Sequence, residues 1–160
     1  MSAPIVLYDT LSAAKRPLEP LEPGHVRFYL CGPTVYDLSH VGHARSAIVA
    51  DVLVRFLREQ GLRVSYVRNV TDIDDKIIRR AEQEGTTADA VAQKYLDAYH
   101  ADLDALACLR PDVEPRVTGT IDGIIAMIEQ LFRAGLAYES AGDVYFRVAA
   151  YPTYGALSKR

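Results

Sequence analysis

The sequence lacks the features that define several protein classes. It has no tryptophan, only two cysteines and a net charge of −3. Two cysteines are too few for the disulfide framework of a small secreted protein. No apolar run approaches the roughly 20 residues of a membrane-spanning helix, and no basic segment followed by an apolar one opens the chain. We therefore expect a cytoplasmic protein that has no membrane partner.

What the sequence contains fits one folded domain. Its 160 residues are 49% apolar, which is enough for one core and too little for two large domains. Because the net charge is slightly negative, any contact with nucleic acid must be confined to a local patch. We treat residues 1–160 as a single α/β domain.

The pattern around which the chain is organised is a strand, a turn and a helix. Residues 26–31 alternate as a strand does, and a glycine and a proline follow them. Between Gly42 and Gln60, apolar residues recur at three- and four-residue spacing, which predicts an amphipathic helix. The predicted apolar face of this helix contains Ile48, Val52 and Phe56.

Two histidines lie at the predicted junction between turn and helix. His40 and His43 flank Gly42, at a helix N-terminus whose unpaired N–H groups favour phosphate. Gly42 leaves the backbone accessible, and two imidazoles can donate hydrogen bonds to phosphoryl oxygens as negative charge develops. The alternative is that His43 caps or packs the helix while His40 is a surface residue. The strand–turn–helix context favours the phosphate site.

A second strand is predicted over residues 64–70 from its β-branched and aromatic side chains. Since a helix separates the two strands, they should be parallel, with a right-handed crossover. Cys31 and Thr71 then follow the carboxyl ends of neighbouring strands and should meet in one crevice. Thr71 or Asp72 is also a good N-cap for the next helix. Cys31 could instead be a small buried residue.

A mainly helical region should extend from about residue 72 to 135, followed by a short β-hairpin around residues 141–143. Pro111 and Pro115 mark a linker within it. Cys108 is predicted to lie in the core. His25 and His100 have no recognisable partner, so we interpret them as solvated or core side chains.

Four sequence blocks carry a resemblance to a known family. YLCGPTVYDLSHVGHARSAIVADVLVRFL, YVRNVTDIDDKII, LRPDVEPR and PTYGALS resemble the amino-terminal part of cysteinyl-tRNA synthetases. The resemblance implies a class I synthetase fold: the first half of a Rossmann-type parallel sheet with its HIGH helix, then helices and a hairpin. It also implies that residues 1–160 are the amino-terminal half of the catalytic domain, with the connective insertion beginning at about 110–150.

The activity implied by the resemblance is ligation of cysteine to tRNA. The family uses ATP with Mg²⁺ to form cysteinyl-adenylate, and then transfers cysteine to tRNA(Cys). His40, Gly42 and His43 match the HIGH signature, so they are expected to bind ATP, and both histidines to act in catalysis.

The resemblance also implies a cysteine-binding site with zinc. Cys31 matches the first of four Zn²⁺ ligands that hold the substrate thiolate, and zinc prefers sulfur to the oxygen of serine. The expected cysteine-binding residues are Cys31, Gly32, Thr34 and Thr71. One cysteine cannot hold zinc alone, so the predicted site is incomplete in this chain.

The sequence departs from the family by lacking the other three zinc ligands, the second half of the sheet and the KMSKS loop. We therefore expect this chain alone to be inactive, and a second polypeptide to supply the missing half. The alternative is a truncated paralogue that binds nucleotide or cysteine, or has a regulatory role, without charging tRNA. A third possibility, an adenylyltransferase for another small molecule, is disfavoured by the TVYDLSH and NVTDIDDK blocks.

Overall fold

A computed structural model describes residues 4–159, which form a mixed α/β structure. The described elements, in chain order, are β1 (Val6–Asp9), β2 (Ala14–Pro17), β3 (His25–Leu30), α1 (Val41–Glu59), β4 (Arg63–Arg68), α2 (Asp75–Glu84), α3 (Ala88–Ala105), α4 (Ile121–Arg133), β5 (Ala137–Ser140) and β6 (Asp143–Phe146). Within this part of the chain, no helix is both long enough and apolar enough to cross a bilayer.

The chain divides into two compact units. Residues 20–120 form one, and the described parts of 1–19 and 121–160 form the other. A division into compact units does not establish which parts fold independently. The expected single domain over 1–160, with an insertion beginning at about 110–150, therefore stays a prediction.

The strands β3 and β4 are parallel, as predicted from the helix between them. His25 pairs with Arg63 at one end of the register and Leu30 with Arg68 at the other. A parallel pair needs a crossover connection, which α1 supplies. Gly61 ends the turn after α1 at φ +77°, a left-handed backbone conformation that glycine adopts without steric cost. The carboxyl ends of both strands therefore lie at the same edge.

The other edge of β4 is occupied by residues 112–117, where a linker was predicted. The N–H of Arg68 donates to the carbonyl of Val113 at 3.1 Å, and the N–H of Val70 donates to that of Pro115 at 2.9 Å. These contacts are parallel bridges that extend the sheet beyond β4. Among residues 4–159, no strand pairs with the remaining edge of β3.

A buried charge network links β4 to this added segment. Arg68 is only 1% exposed, and its Nη2 lies 3.2 Å from Oε1 of Glu114. The other carboxylate oxygen lies 2.7 Å from Nε2 of His100. His25 also has a partner, because its Nε2 lies 2.8 Å from Oγ of Ser65. Both histidines therefore make polar contacts that the sequence did not reveal.

Helix α2 begins later than predicted. Its N-cap is Asp74, whose side chain accepts the N–H of Lys76 at 2.8 Å. The predicted N-caps have other contacts: Thr71 is bridged to Thr34, and Asp72 accepts the N–H of Thr118 at 3.1 Å. The prediction was wrong because three acidic residues in one short segment offer equally suitable caps.

The main core lies beneath α1, α2 and α3, and Cys108 belongs to it as predicted. Its buried members are Val35, Ala47, Val70, Ile77, Ala81, Val91, Ala92, Tyr95, Leu96, Tyr99, Leu103 and Cys108. The face of α1 predicted to be buried is instead exposed, with Val52 at 60% and Phe56 at 46%. The buried residues of α1 are Ala47, Ala50, Val54 and Leu57. Because α1 is apolar on more than one side, periodicity could not select the buried side.

The second unit contains two antiparallel hairpins and α4. In one hairpin β1 pairs with β2, and β2 was not predicted. In the other, β5 pairs with β6 around Ala141 and Gly142, as predicted. Helix α4 lies within the predicted helical region of residues 72–135, but it buries none of its residues in this structure.

Candidate functional site

The candidate site begins where β3 and β4 end. Thr34 and Thr71 form a parallel backbone bridge just beyond the two strands. The N–H of Thr71 donates to the carbonyl of Pro33 at 3.0 Å, and the carbonyl of Thr71 accepts the N–H of Val35 at 3.2 Å. The parallel register thus places the loop after β3 directly against the segment after β4.

Gly32 lies closer to this second segment than any residue with a side chain could. A Cβ at Gly32 would be 1.6 Å from the backbone oxygen of Asn69, far inside van der Waals contact. The N–H of Gly32 donates to Oδ1 of Asn69 at 2.8 Å, and the Asn69 amide contacts Oγ1 of Thr71 at 3.5 Å. Asn69 therefore joins the two loops. The NVTDIDDK block contains it, but its role was not predicted.

Cys31 is exposed immediately after β3, so its interpretation as a small buried residue was wrong. Its Sγ lies 3.7 Å from the carbonyl oxygen of Gly32. Within residues 4–159, no cluster of three or more His, Cys, Asp or Glu side chains could hold a metal ion. A single thiol does not fit the four-ligand preference of zinc. By contrast Cys108 is buried, and burial raises the pKa of its thiol.

His40 and His43 cap the N-terminus of α1. His40 is the N-cap, and its Nδ1 accepts the N–H of Gly42 at 3.0 Å. In return, Nδ1 of His43 accepts the N–H of His40 at 3.1 Å. The ring centroids are 4.0 Å apart. Such reciprocal acceptance is a capping box made of two imidazoles.

This capping arrangement fixes where a neutral imidazole carries its proton. Because Nδ1 of each ring accepts a backbone N–H, the proton of the neutral ring must be on Nε2. Burial, and then the charge of His40, lower the pKa of His43 below its usual value. The two rings can therefore cap the helix through Nδ1 and donate a hydrogen bond through Nε2 at the same time.

Gly42 makes the His40 cap possible. A Cβ at this position would lie 2.7 Å from Cε1 of His40 and 2.9 Å from its Nδ1. The ring could then not fold back over the first turn of α1. Since the N–H of Gly42 already donates to His40, the structure connects this glycine to the site through the imidazole.

The predicted residues divide between different surfaces. Thr34, His40 and His43 line a pocket of about 310 Å³, whereas Gly42 lines a separate groove of about 460 Å³ between β3 and α1. Cys31, Gly32 and Thr71 lie outside the walls of the 310 Å³ pocket, hereafter the histidine pocket. Its complete lining is Pro33, Thr34, Val35, Tyr36, Asp37, Leu38, Ser39, His40, His43, Lys76, Tyr95 and Tyr99.

A charge network supports one wall of the histidine pocket. The hydroxyl of Tyr95 donates to Oε1 of Glu84 at 3.0 Å and accepts a hydrogen bond from Arg80. The carboxylate of Glu84 also contacts Lys94 at 2.8 Å and Arg80 at 2.6 Å. Hydrogen bonds from Lys94, Arg80 and Tyr95 lower the pKa of Glu84 to about 2. Apart from the i, i+4 pair of Arg80 and Glu84 on α2, no pattern in the sequence indicated this network.

The fold resembles that of solved tRNA synthetases. A Mycobacterium tuberculosis methionyl-tRNA synthetase, solved in complex with methionyl-adenylate, superposes with a TM-score of 0.62. The match has 23% sequence identity and covers 71% of this chain and 23% of that one. At this identity the match supports the fold alone.

Curated relatives are much closer in sequence. A cysteine–tRNA ligase of Anaeromyxobacter sp. (strain K) is 57% identical over 157 residues, which are 98% of this chain and 33% of the relative. A cysteine–tRNA ligase of Syntrophobacter fumaroxidans is 54% identical over 96% of this chain and 31% of its own length. The chain thus spans about a third of the length of the curated relatives it matches.

The family assignment follows from a match over nearly the whole chain. The family model for tRNA synthetases class I (C) catalytic domain matches residues 17–160. This range contains β3, α1, β4 and the two capping histidines. The chain therefore belongs to the class I (C) family of tRNA synthetase catalytic domains.

Proposed function

We propose that this chain is the amino-terminal part of a cysteine–tRNA ligase. In the first step a carboxylate oxygen of cysteine attacks the α-phosphorus of ATP, and pyrophosphate leaves. In the second, a ribose hydroxyl at the 3′ end of tRNA(Cys) attacks the carbonyl carbon of cysteinyl-adenylate, and AMP leaves. The observation that carries the proposal is 57% identity to a cysteine–tRNA ligase over 98% of the chain.

His40 and His43 are the proposed catalytic and ATP-binding side chains. With each Nδ1 engaged in the helix cap, each neutral ring can direct an Nε2–H towards a phosphate oxygen. Hydrogen-bond donors that are already positioned stabilise charge as it develops in the transition state. Gly42 contributes to ATP binding by allowing the His40 ring to occupy its capping position.

Cysteine is proposed to bind at the strand ends, with Cys31, Gly32, Thr34 and Thr71 as its contacts. The backbone bridge of Thr34 and Thr71 and the close approach of Gly32 to Asn69 support this placement. Zn²⁺ and Mg²⁺ are expected from the family. Since Cys31 is the only family zinc ligand here, we derive no step through either metal. A cytoplasmic location stays a prediction.

We further propose that the polypeptide corresponding to the remaining two thirds of the relatives completes this site and the Rossmann-type sheet. Within residues 4–159, the outer edge of β3 has no strand partner. Beside it is the groove lined by apolar side chains, including Phe28, Leu30 and Leu53. The adjoining face of α1 exposes Val52 and Phe56. An unpaired strand edge next to an apolar surface favours addition of another strand.

The experiment is cysteine-dependent ATP–pyrophosphate exchange. This chain would be assayed alone, and then together with the part of the Anaeromyxobacter relative that it does not match. We expect no exchange by the chain alone, exchange in the mixture, and loss of that exchange in His43→Ala. His25→Ala is the matched control, since His25 lies on β3 and outside the histidine pocket.

Other results would change the proposal. Exchange by the chain alone that disappears in His43→Ala would show that this part carries a complete site. No exchange in either assay would favour the alternative, a nucleotide- or cysteine-binding module that does not charge tRNA. Direct binding of ATP and of cysteine to the chain would then test that alternative.

A further inference from the structure

One lysine lines the histidine pocket. Lys76 lies in the first turn of α2, and its side chain shares the pocket wall with His40 and His43. No other lysine or arginine belongs to the described lining. The pocket volume of about 310 Å³ is at the lower end of the range for small-molecule sites, roughly 300–1,000 Å³. A single cation thus faces the same space as two potential Nε2–H donors.

The ammonium group of Lys76 lies over an aromatic ring but forms no ion pair within residues 4–159. It lies 5.1 Å from the ring centroid of Tyr36, which packs against the main core. Among the ion pairs and side-chain hydrogen bonds of residues 4–159, none involves this ammonium. Lys94 differs, because it also lies over a tyrosine ring but pairs with Glu84 at 2.8 Å. The ammonium of Lys76 is therefore available to pair with an anion from outside these residues.

The acidic groups near Lys76 have their own contacts. Asp37 lines the pocket, but its carboxylate lies 3.6 Å from Arg80. Asp74 uses its side chain to cap α2. A lysine in the first turn also opposes the helix dipole, which favours negative charge there. The position of Lys76 is thus not explained by stabilisation of its own helix.

We propose that Lys76 binds the phosphate chain of the nucleotide in the histidine pocket. An ammonium supplies a compact charge with three hydrogen-bond donors, which suits phosphate oxygens. His40 and His43 would donate to the same chain of phosphates from another wall. The identity of the nucleotide as ATP rests on the proposed function, whereas the recognition of polyphosphate by Lys76 does not require tRNA charging.

The test uses inorganic tripolyphosphate as the probe and isothermal titration calorimetry of the 160-residue chain. Lys76→Met should weaken binding about tenfold, as expected for one charge-assisted hydrogen bond at an open site. Lys76→Arg, which keeps the charge, should retain most of the affinity. Arg79→Met is the matched control, because it removes one exposed positive charge from the same helix.

Acetylation of the lysine amines in the unsubstituted chain reports on each lysine separately. This readout does not depend on whether a variant folds. The chain has four lysines, at positions 15, 76, 94 and 159. Tripolyphosphate should slow acetylation of Lys76, measured by mass spectrometry, without slowing that of Lys15 or Lys159. Protection of Lys76 by cysteine and not by tripolyphosphate would assign it to a carboxylate and overturn the proposal.

Two further results would also overturn it: no binding of tripolyphosphate by the unsubstituted chain, or equal binding by Lys76→Met. The proposed function could survive either of these, since cysteine-dependent exchange is measured separately. Conversely, a Lys76-dependent polyphosphate site in a chain that never supports exchange would leave this inference standing while the proposed function failed.

Discussion

Helices α3 and α4 both carry apolar residues at helical spacing, but their surroundings differ strongly. Helix α3, in the unit of residues 20–120, buries six side chains, among them Leu96 and Leu103. Helix α4, in the other unit, buries none and leaves Ile124 41% and Ile125 51% exposed. An amphipathic pattern therefore predicts a helix, but it does not show whether the surface that would bury the apolar face is present. Most helical stability in proteins comes from packing of the apolar face, so the two units should differ strongly in stability.

The largest expected effect is on independent folding. A fragment of residues 20–120 should unfold cooperatively in urea, because it contains the whole main core. A peptide of residues 121–159 should show little stable structure, since a helix of 13 residues and a two-stranded hairpin are each marginal in water. Far-UV circular dichroism during urea titration measures both. A cooperative transition in the peptide would remove the contrast between the units.

Truncation of one side chain in each helix sharpens the comparison. Leu103→Ala should reduce the free energy of unfolding by about 3 kcal/mol, because Leu103 is buried and its truncation leaves a cavity. Ile125→Ala should cost less than about 0.5 kcal/mol, because that side chain is already half exposed. Urea denaturation of the full chain tests the pair. Equal losses would mean that α4 is covered in solution.

A smaller difference is expected between the contributions of two ion pairs to the free energy of unfolding. Glu114→Gln should lower the free energy of unfolding by about 2 kcal/mol, because it leaves the buried guanidinium of Arg68 without its charged partner. The matched change Glu129→Gln in α4 should cost less than about 0.5 kcal/mol, since its pair with Arg133 is exposed. Thermal denaturation of both variants measures the difference. An unchanged free energy of unfolding in Glu114→Gln would indicate that water solvates Arg68.

The smallest expected effect concerns acid stability of the unit of residues 20–120. The pKa of Glu84 is about 2 when folded, against an ordinary value of 4.5. Between these two values the unfolded chain binds more protons, so stability should fall as the pH falls from 4.5 to about 2. Glu84→Gln should reduce this slope, and Lys94→Met should reduce it in part. Urea midpoints measured across this pH range give the pH dependence of stability. An unchanged slope in Glu84→Gln would contradict the assignment to Glu84.

The parts of the fold that could be predicted are those fixed by short-range patterns. Residues 26–31 alternate, the next apolar residues follow helical spacing, and the crossover rule then makes β3 and β4 parallel. The same reasoning predicted that Cys31 and Thr71 follow the carboxyl ends of neighbouring strands, and it placed His40 and His43 at a helix N-terminus. Glycine and aspartate positions marked the hairpin between β5 and β6.

The parts that could not be predicted depend on distant partners. Pro111 and Pro115 indicated a linker because proline cannot donate to a sheet. Here Pro115 only accepts, from the N–H of Val70. Asp112 and Val117 donate their own N–H groups to the carbonyls of Tyr66 and Val70, so the segment pairs despite its prolines. Likewise, the carboxylate that contacts His100 lies 14 residues away. Nothing in local periodicity identifies such pairs.

The histidine cap shows a further limit of sequence reasoning. The alternative to a functional role was helix capping or packing for His43 and a surface position for His40, whereas in the structure both rings cap the helix and can still donate. One imidazole nitrogen accepts from the backbone, and the other remains available. Residue type and spacing located the pair, but only the hydrogen bonds reveal which nitrogen carries the proton.

The pairing of residues 112–117 with β4 has a consequence for the order of folding. The backbone N–H of Tyr66 donates to Oδ2 of Asp112, 46 residues later in the chain. Closing a long loop costs conformational entropy, and contacts between distant residues form slowly. Helices α2 and α3 lie within this loop and can form locally first, which shortens the distance still to be closed. During synthesis, one edge of β4 would therefore remain unpaired until residues 112–117 had left the ribosome.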